Sequence, residues 1–248
     1  MKAMVLAAGL GTRLRPLTDH KPKALVEVGG RTLLEITLCR LRGFGIREVI
    51  MNVHHFADAI RDYLKINNNF GMRIEISQED VLLDTGGGLK KASWFFLENS
   101  GRTNEPFLLH NVDVISTIDF GAMLRQHNES GALATLAVQK RETSRYLLFD
   151  GQSHLCGRRI VKTNQDELAR ASSDIEALAF TGIHVICPRM LEMMQEEGAF
   201  SIIDLYLRLA REGKGIRAFR ADDYYWRDLG KLEQVQHAER DFRSGLLS

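Results

Sequence analysis

Glycines and cations concentrate near the start of the chain. Leu6-Ala7-Ala8-Gly9-Leu10-Gly11-Thr12-Arg13-Leu14-Arg15-Pro16-Leu17-Thr18 follows a short apolar run. Glycines in such a turn let main-chain amides point inward and approach phosphate oxygens closely. Arg13 can grip a phosphate with a planar fork of donors. Ten residues later, Lys23 stands in Lys21-Pro22-Lys23-Ala24-Leu25, where a proline of fixed φ can aim the ammonium at a polyphosphate. Two other phosphate loops are excluded, because Leu14 replaces the third glycine of the dinucleotide fingerprint and no Gly-Lys-Ser/Thr is present. The same residues also suit a plain Gly-rich turn with surface arginines and a solvated Lys-Pro-Lys. Two aspartates add acidic chemistry: Asp113 in Asn111-Val112-Asp113, and Asp228 in Trp226-Arg227-Asp228-Leu229-Gly230. A lone aspartate at a strand end also serves as a cap or turn residue.

Elements that could position these residues follow from apolar spacing. Ala3–Ala8 is expected as a strand that ends in the Gly-rich turn. Leu34, Leu38 and Leu41 mark a helix, Glu48–Val53 a strand, and Phe56, Ile60 and Leu64 the next helix. Met72–Ser77 is a predicted strand, Gly88–Leu97 a helix, Phe107–Val112 a strand, Phe120–Gln126 a short helix and Ala132–Val138 a fully apolar strand. This β-α-β-α rhythm implies a mainly parallel sheet covered on both faces. Ligands of such sheets sit beyond the carboxyl ends of the strands, where the Gly-rich turn and Asp113 both fall. From Arg145 to Ile186 the pattern changes to Tyr146–Phe149, His154–Lys162 and Ala177–Ile186, an antiparallel insertion. Helices Arg189–Glu196 and Ile202–Arg211, a strand at Ile216–Phe219 and a last helix through Leu232, Val235, Glu239 and Phe242 complete the chain.

Composition removes several classes of function. The 248 residues carry 33 Lys plus Arg against 32 Asp plus Glu, a net charge of +1, so nucleic-acid binding by bulk charge is not expected. With 44% apolar and 26% charged residues, the chain reads as globular rather than disordered. Cys39, Cys156 and Cys187 are odd in number and far apart, which argues against a disulfide framework or a zinc ribbon and for a reduced, cytoplasmic protein. No apolar run approaches the ~20 residues of a membrane span. The apolar N-terminal stretch is too short for a signal peptide, and Arg13 and Arg15 follow at once. The pair His54-His55 lacks a third ligand and is taken as a loop feature.

Together, the Gly-rich turn and the Lys-Pro-Lys segment resemble the sugar-1-phosphate nucleotidyltransferases, whose signature is roughly L-A-G/A-G-x-G-T-R-L-x-P-L-T followed by K-P-K/M-x-L. The resemblance runs on through Asp84-Thr85-Gly86-Gly87-Gly88, similar to the family's acidic-Thr-Gly-Gly segment, and Asn111-Val112-Asp113, similar to its N-G-D metal motif. Phe180-Thr181-Gly182-Ile183 resembles the sugar-site strand, and Trp226 to Gly230 the W-x-D-x-G motif. Short bacterial N-acetylmuramate-1-phosphate uridylyltransferases and mannose- or heptose-1-phosphate guanylyltransferases are the most similar subfamilies. The resemblance implies a Rossmann-like three-layer α/β/α sandwich with a mainly parallel mixed sheet and a small antiparallel insertion. It implies one catalytic domain over 1–248: a nucleotide-binding half to about 140, a sugar-phosphate-binding half to about 230 and a C-terminal helix over 231–248, with no β-helix extension.

The implied reaction joins a nucleoside triphosphate to a sugar 1-phosphate and releases pyrophosphate, supplying nucleotide sugars for cell-envelope polysaccharide. Arg13 and Lys23 would be catalytic, and Asp113 and Asp228 would hold Mg2+. Leu6, Ala7, Ala8, Gly9, Gly11, Thr12, Gln78, Glu79, Thr85, Gly86, Gly87 and Asn111 would bind the nucleotide, with Gln78, Glu79 and Gly86 toward the base. Lys162, Thr181 and Gly182 would bind the sugar phosphate, and Arg158 and Arg159 could meet an acidic sugar or simply be solvated. The partners implied are small molecules, with no nucleic acid and no membrane; the antiparallel region and last helix could serve a homodimer. Three positions depart from the family: Val112 at a usually small position, where it could narrow the space beside the ribose or sugar, and Glu27 and Thr32 at usual prolines, which should loosen loop geometry. Two other classes remain in view. A metal-dependent glycosyltransferase would usually show D-x-D where this strand ends Asn-Val-Asp-Val, and a nucleotide-sugar sensor would be expected to lose a metal carboxylate or the loop arginine.

Overall fold

A computed structural model describes residues 1–98 and 105–245. The chain forms two compact units, one made of Met1–Leu82, His110–Ile118 and Tyr224–Ser248, the other of Leu83–Leu109 and Asp119–Asp223.

In the first unit, β1 (Ala3–Leu6) is buried over its first three residues and leads into the Gly-rich turn. A tight hairpin follows, β2 (Glu27–Val28) and β3 (Arg31–Thr32), with Gly29 and Gly30 at φ of +60° and +74°, the left-handed values a two-residue hairpin turn requires. Helix α1 (Leu33–Gly43) begins at Thr32, whose hydroxyl accepts the Glu35 N–H at 3.0 Å. Thr32-Leu33-Leu34-Glu35 is thus an N-terminal cap, and Thr32 fixes a helix start where a loosened loop was expected. Next come β4 (Glu48–Val53), α2 (Ala57–Ile66) and β5 (Arg73–Gln78). β4 pairs in parallel with β1 and β5, in the registers Ala3–Val49 and Glu48–Arg73. The βαβ alternation predicted from the apolar spacing is therefore present.

The second unit opens with α3 (Asp84–Ala92) and α4 (Trp94–Leu97). Strand β6 (Phe107–Asn111) has its first three residues in the second unit and its last two in the first, which also holds β7 (Val114–Ser116). The second unit continues with α5 (Phe120–Ser130), β8 (Ala134–Gln139), β9 (Arg145–Asp150), β10 (Leu155–Ile160), β11 (Gln165–Leu168), β12 (Ile175–Ile186), α6 (Ile202–Arg211) and β13 (Ile216–Arg220). β12 pairs antiparallel with both β8 and β9, β10 pairs antiparallel with β9 and β11, and β13 runs parallel to β8. In the first unit, β14 (Trp226–Asp228) and α7 (Leu232–Arg243) end the described fold. The class is α/β with a mixed sheet and an antiparallel insertion, as the sequence implied.

Several bounds differ from expectation for physical reasons. The helix predicted over Gly88–Leu97 starts at Asp84 and takes in all three glycines. A Cβ on Gly86 would lie 2.3 Å from the Phe200 ring, and one on Gly87 2.4 Å from the Gly198 carbonyl. Close approach, which no side chain permits, retains glycines in a helix that propensity alone disfavours. α5 runs four residues past its predicted end, because Asp119 caps its start and Gly131, at φ +60°, closes it. The segment expected as a helix over Arg189–Glu196 is a 3-10 stretch, Pro188–Met193. β11 was not foreseen: all four of its residues are exposed, so it carries no apolar alternation. Of the helix expected over 231–248, residues 246–248 lie outside the described residues. Among the described residues, no helix is long and apolar enough to cross a membrane.

Two histidines give the fold a pH dependence. His110 and His127 are buried, and loss of water around their rings pushes both down to about 4. The unfolded chain takes up these protons near pH 6.5, before the folded chain does, so stability is full above that value and falls toward pH 4. Carboxylates held low by partners, such as Glu196 beside Arg208, keep their contribution above the ordinary carboxylate range and begin to lose it as pH falls through about 4.5. Urea unfolding should therefore show a loss of several kcal/mol, roughly 2.5 per histidine, between pH 7 and 4.5. Equal stability at the two values would show that these rings do not resist protonation.

Candidate active site

The residues singled out at the start of the chain fold in the first unit around one apolar cluster. Leu14 from the Gly-rich turn, Val26 and Val28, Ile115 from β7, and Leu229, which follows Asp228, are all buried in it beside Leu33, Ile36, Val235 and Ala238. Each apolar anchor neighbours a functional side chain: Leu14 follows Arg13, Ile115 is two residues from Asp113, and Leu229 follows Asp228. Burial of these anchors, at roughly 1.5–3 kcal/mol each, fixes the backbone that carries the charged side chains.

Strand pairing sets the two aspartates side by side. β14 runs antiparallel to β7 with Asp228 opposite Val114, and the Leu229 N–H donates to the Asp113 carbonyl at 2.7 Å. Asp113 Oδ2 forms an ion pair with Lys23 Nζ, whose side chain is largely buried. Asp228 Oδ1 accepts the Gly230 N–H at 2.6 Å. A Cβ placed on Gly230 would fall 2.6 Å from that same oxygen and 2.8 Å from Arg13 Nη2, so the Arg13 guanidinium and the Asp228 carboxylate flank the Gly230 backbone. Arg13 itself is exposed. The four charged residues thus form two acid–base neighbours, with Arg13 and Lys23 on 3-10 turns, Asp113 in the turn before β7 and Asp228 at the end of β14.

Main-chain geometry of the turn is also tightly specified. Gly11 lies at φ +65°, and a Cβ there would meet Thr18 Cγ2 at 3.0 Å and Lys23 Cβ at 3.2 Å. Thr18 Oγ1 donates to the Gly11 carbonyl at 2.9 Å. Gly9 has open space around it and is exposed with Leu10 and Thr12. Leu6, Ala7 and Ala8 lead into the turn from β1, and Asn111 ends β6 just before Asp113. Val112 is buried, and its N–H donates to the Leu6 carbonyl at 3.1 Å.

Other expected site residues are placed differently. Gln78 Oε1 accepts from Arg61 Nη2 at 2.6 Å on the surface. Glu79 is buried at 2% exposure, and its Oε1 accepts from Asn52 Nδ2 at 2.8 Å. In the second unit, Thr85 caps α6 by accepting the Ile202 N–H at 2.9 Å, and the Gly86 N–H donates to the Phe200 carbonyl at 2.9 Å. Gly87 packs beneath Gly198. Thr181 is buried, with Oγ1 donating to the Ala137 carbonyl at 2.8 Å, and Gly182 follows at φ +80° where the β12–β8 register shifts. Lys162 is exposed on a 3-10 turn, Val161–Thr163. Arg158 pairs with Glu167 and Asp204, and Arg159 bonds Asp166 through two nitrogens. Both guanidiniums are neutralised by carboxylates, which weighs against an anion site there.

Sequence reading missed Asn52 and the role of Arg227. Arg227 bonds Asp241 at 2.8 Å and Gln234 at 2.8 Å, tying β14 to α7 beside Asp228. Tyr225 also donates to Asp241, and burial with that bond pushes its phenol up to about 12. Nothing in the spacing of Arg227 and Asp241 marks this contact, since they lie on a strand and a helix. Asn52 sits mid-pattern in an apolar strand, and its polarity there was the available signal. Among the described residues, no group of three or more His, Cys, Asp or Glu side chains could hold a metal ion.

Comparison with known proteins adds independent support. The sequence matches the nucleotidyl transferase family over residues 2–245. It is 34% identical over 218 residues to N-acetylmuramate alpha-1-phosphate uridylyltransferase of Caulobacter vibrioides, covering 86% of this chain and 85% of that protein. It is 30% identical over 250 residues to the mannose-1-phosphate guanylyltransferase catalytic subunit beta of Danio rerio; this covers 99% of the chain and 64% of that relative's length. HddC from Yersinia pseudotuberculosis, solved in complex with GMP-PN, superposes with a TM-score of 0.75 at 21% identity over 97% of this chain and 99% of that one. That likeness is one of fold.

The crowding at Gly230 is measurable. Gly230→Ala should cost about 1–3 kcal/mol of stability, the usual range for overpacking. Combined with Arg13→Ala, part of that cost should disappear, leaving the share due to Asp228. Equal costs in both backgrounds, by urea unfolding, would rule out the Arg13 contact.

Proposed function

The chain belongs to the nucleotidyl transferase family, and from that premise we propose that it joins a nucleoside triphosphate to a sugar 1-phosphate, giving a nucleotide sugar and pyrophosphate. The observation that carries this reading is that, in one unit, Lys23 pairs with Asp113 just before β7, and Arg13 and Asp228 of the neighbouring β14 flank Gly230. Two cations and two carboxylates beside a Gly-rich turn suit a phosphoryl transfer, where catalysis is positioning and charge neutralisation.

An oxygen of the sugar phosphate attacks the α-phosphorus in line, the new P–O bond forms, and the bond to the β-phosphate oxygen breaks. The attacking phosphate is largely ionised at pH 7, since its second pKa is about 6, so no general base is required. Exposed amides of Gly9 to Thr12 and the Arg13 fork hold the β- and γ-phosphates and take up the charge of departing pyrophosphate. Lys23, already paired with Asp113, reaches the α-phosphate or the sugar phosphate from the same turn. Asn111 and the Leu6–Ala8 segment border the nucleotide. In the second unit, Thr85, Gly86 and Gly87 are assigned to the nucleotide and Lys162 with Thr181 and Gly182 to the sugar phosphate.

The residues present suit Mg2+. This ion takes hard oxygen donors and is usually bound by one or two carboxylates together with phosphates and water, and Asp113 and Asp228 each keep one carboxylate oxygen outside the bonds to Lys23 and Gly230. Bound there, Mg2+ would neutralise phosphate charge and align the triphosphate. We also propose a cytoplasmic location, where nucleoside triphosphates are available, and a product that serves as donor for envelope polysaccharide.

Pyrophosphate release tests the proposal. Across a panel of nucleoside triphosphates and sugar 1-phosphates, release should require both substrates and Mg2+ and stop with EDTA. Hydrolysis of nucleotide sugar or glycosyl transfer without pyrophosphate would overturn it. Arg13→Lys keeps the charge but loses the fork, and kcat should fall by roughly one to three decades. Asp113→Ala and Asp228→Ala should abolish turnover with the fold intact; activity retained at limiting Mg2+ would remove that carboxylate from the metal site.

A further inference from the structure

The peptide group between Leu6 and Ala7 closes β1 two residues before Gly9, and it is held from both sides. Its carbonyl, on Leu6, accepts the Val112 N–H at 3.1 Å. Its N–H, on Ala7, donates to Asn52 Oδ1 at 2.9 Å. Leu6 pairs with Asn52 as the last rung of the β1–β4 ladder, so beyond that rung the Asn52 side chain replaces the missing strand partner. Through Val112, the same peptide plane adjoins Asp113. One rigid unit therefore sets the start of the phosphate-binding turn and the approach to an acidic residue.

Asn52 is itself oriented. A side-chain amide can present either its oxygen or its NH2 to a given neighbour. Glu79 removes that freedom: Asn52 Nδ2 donates to Glu79 Oε1 at 2.8 Å, and a carboxylate only accepts. With its NH2 turned to Glu79, the amide faces Ala7 with its oxygen. A flip would set oxygen against carboxylate and NH2 against N–H, leaving buried polar groups unpaired at a cost of roughly 1–3 kcal/mol each. Both residues are almost fully buried, Asn52 at 3% and Glu79 at 2%. Glu79 is anchored in turn, its N–H donating to the Val53 carbonyl at 2.8 Å and its carbonyl accepting from His54 Nδ1 at 2.8 Å.

We propose that Asn52 is a positioning residue for the phosphate-binding turn, and that Glu79 acts through it by fixing the amide's orientation rather than by reading the nucleotide base. The inference deepens the transferase reading and rests on it for its kinetic consequences alone.

The test exchanges the two groups. Asn52→Asp keeps an acceptor for the Ala7 N–H but sets two carboxylates together. The double variant Asn52→Asp/Glu79→Gln restores one amide and one carboxylate with their places swapped. Hydrogen exchange of the peptide spanning residues 3–14 and steady-state pyrophosphate release are measured on each variant. Asn52→Asp should raise exchange around Ala7 and lower kcat ~10- to 100-fold, the scale of a ~1 Å misplacement, with a smaller change in KM for the triphosphate. The double variant should regain protection and at least tenfold of the lost rate. A double variant no better than Asn52→Asp, or a Glu79→Gln change of base preference with exchange unaltered, would overturn the proposal. If the unaltered chain releases no pyrophosphate, the transferase reading fails, while exchange across the same variants still decides the brace: protection lost and regained supports it, and protection unchanged overturns it.

Discussion

Two aspartates brought together by strand pairing are the constraint on which the first unit is built. β7 and β14 come from positions more than a hundred residues apart, yet their pairing leaves Asp113 and Asp228 as neighbours. Neighbouring like charges repel, and more strongly where water is partly excluded. The fold answers with cations drawn from the first turn, Lys23 on Asp113 and Arg13 across Gly230 from Asp228. The apolar cluster that includes Leu14, Ile115 and Leu229 carries the segments bearing these charges. Packing thus supplies the stability that a concentration of charge lacks.

Glycines serve that constraint in two distinct ways. Gly11 needs a left-handed backbone and also lacks room for a Cβ against Thr18 and Lys23. Gly230 has no unusual φ; a side chain there would press on the Asp228 carboxylate and the end of the Arg13 side chain, so that these groups would have to shift. In the second unit, Gly86 and Gly87 are helical and are required by contact with Phe200 and Gly198. A glycine in a motif therefore need not touch ligand: here it often lets other groups come close.

Buried polar groups follow the same logic. Asn52 and Glu79 are almost without solvent, and each finds its partner in the other or in the end of β1. Arg158 and Arg159, which as a sequence could suggest an anion site, are matched by Glu167, Asp204 and Asp166. Charge that looks available along the chain can be satisfied locally once strands pair, because β10 and β11 set their side chains opposite one another.

Local physics made much of this protein readable from sequence. Apolar periodicity gave β4 and α6 at their observed bounds, and the βαβ order followed from their alternation. The Gly-rich turn with Arg13 and Lys23 was legible because its chemistry is contiguous. β11 was not, because an exposed strand needs no apolar face, and neither were the helical glycines before α4, whose reason lies in a residue over a hundred positions away. Tertiary structure alone decided that Asp113 meets Lys23, that Arg13 and Asp228 share Gly230, and that Glu79 turns to Asn52. Those contacts join residues 27 to more than 200 positions apart, and such pairings are set by strand register and core packing, which no local pattern encodes.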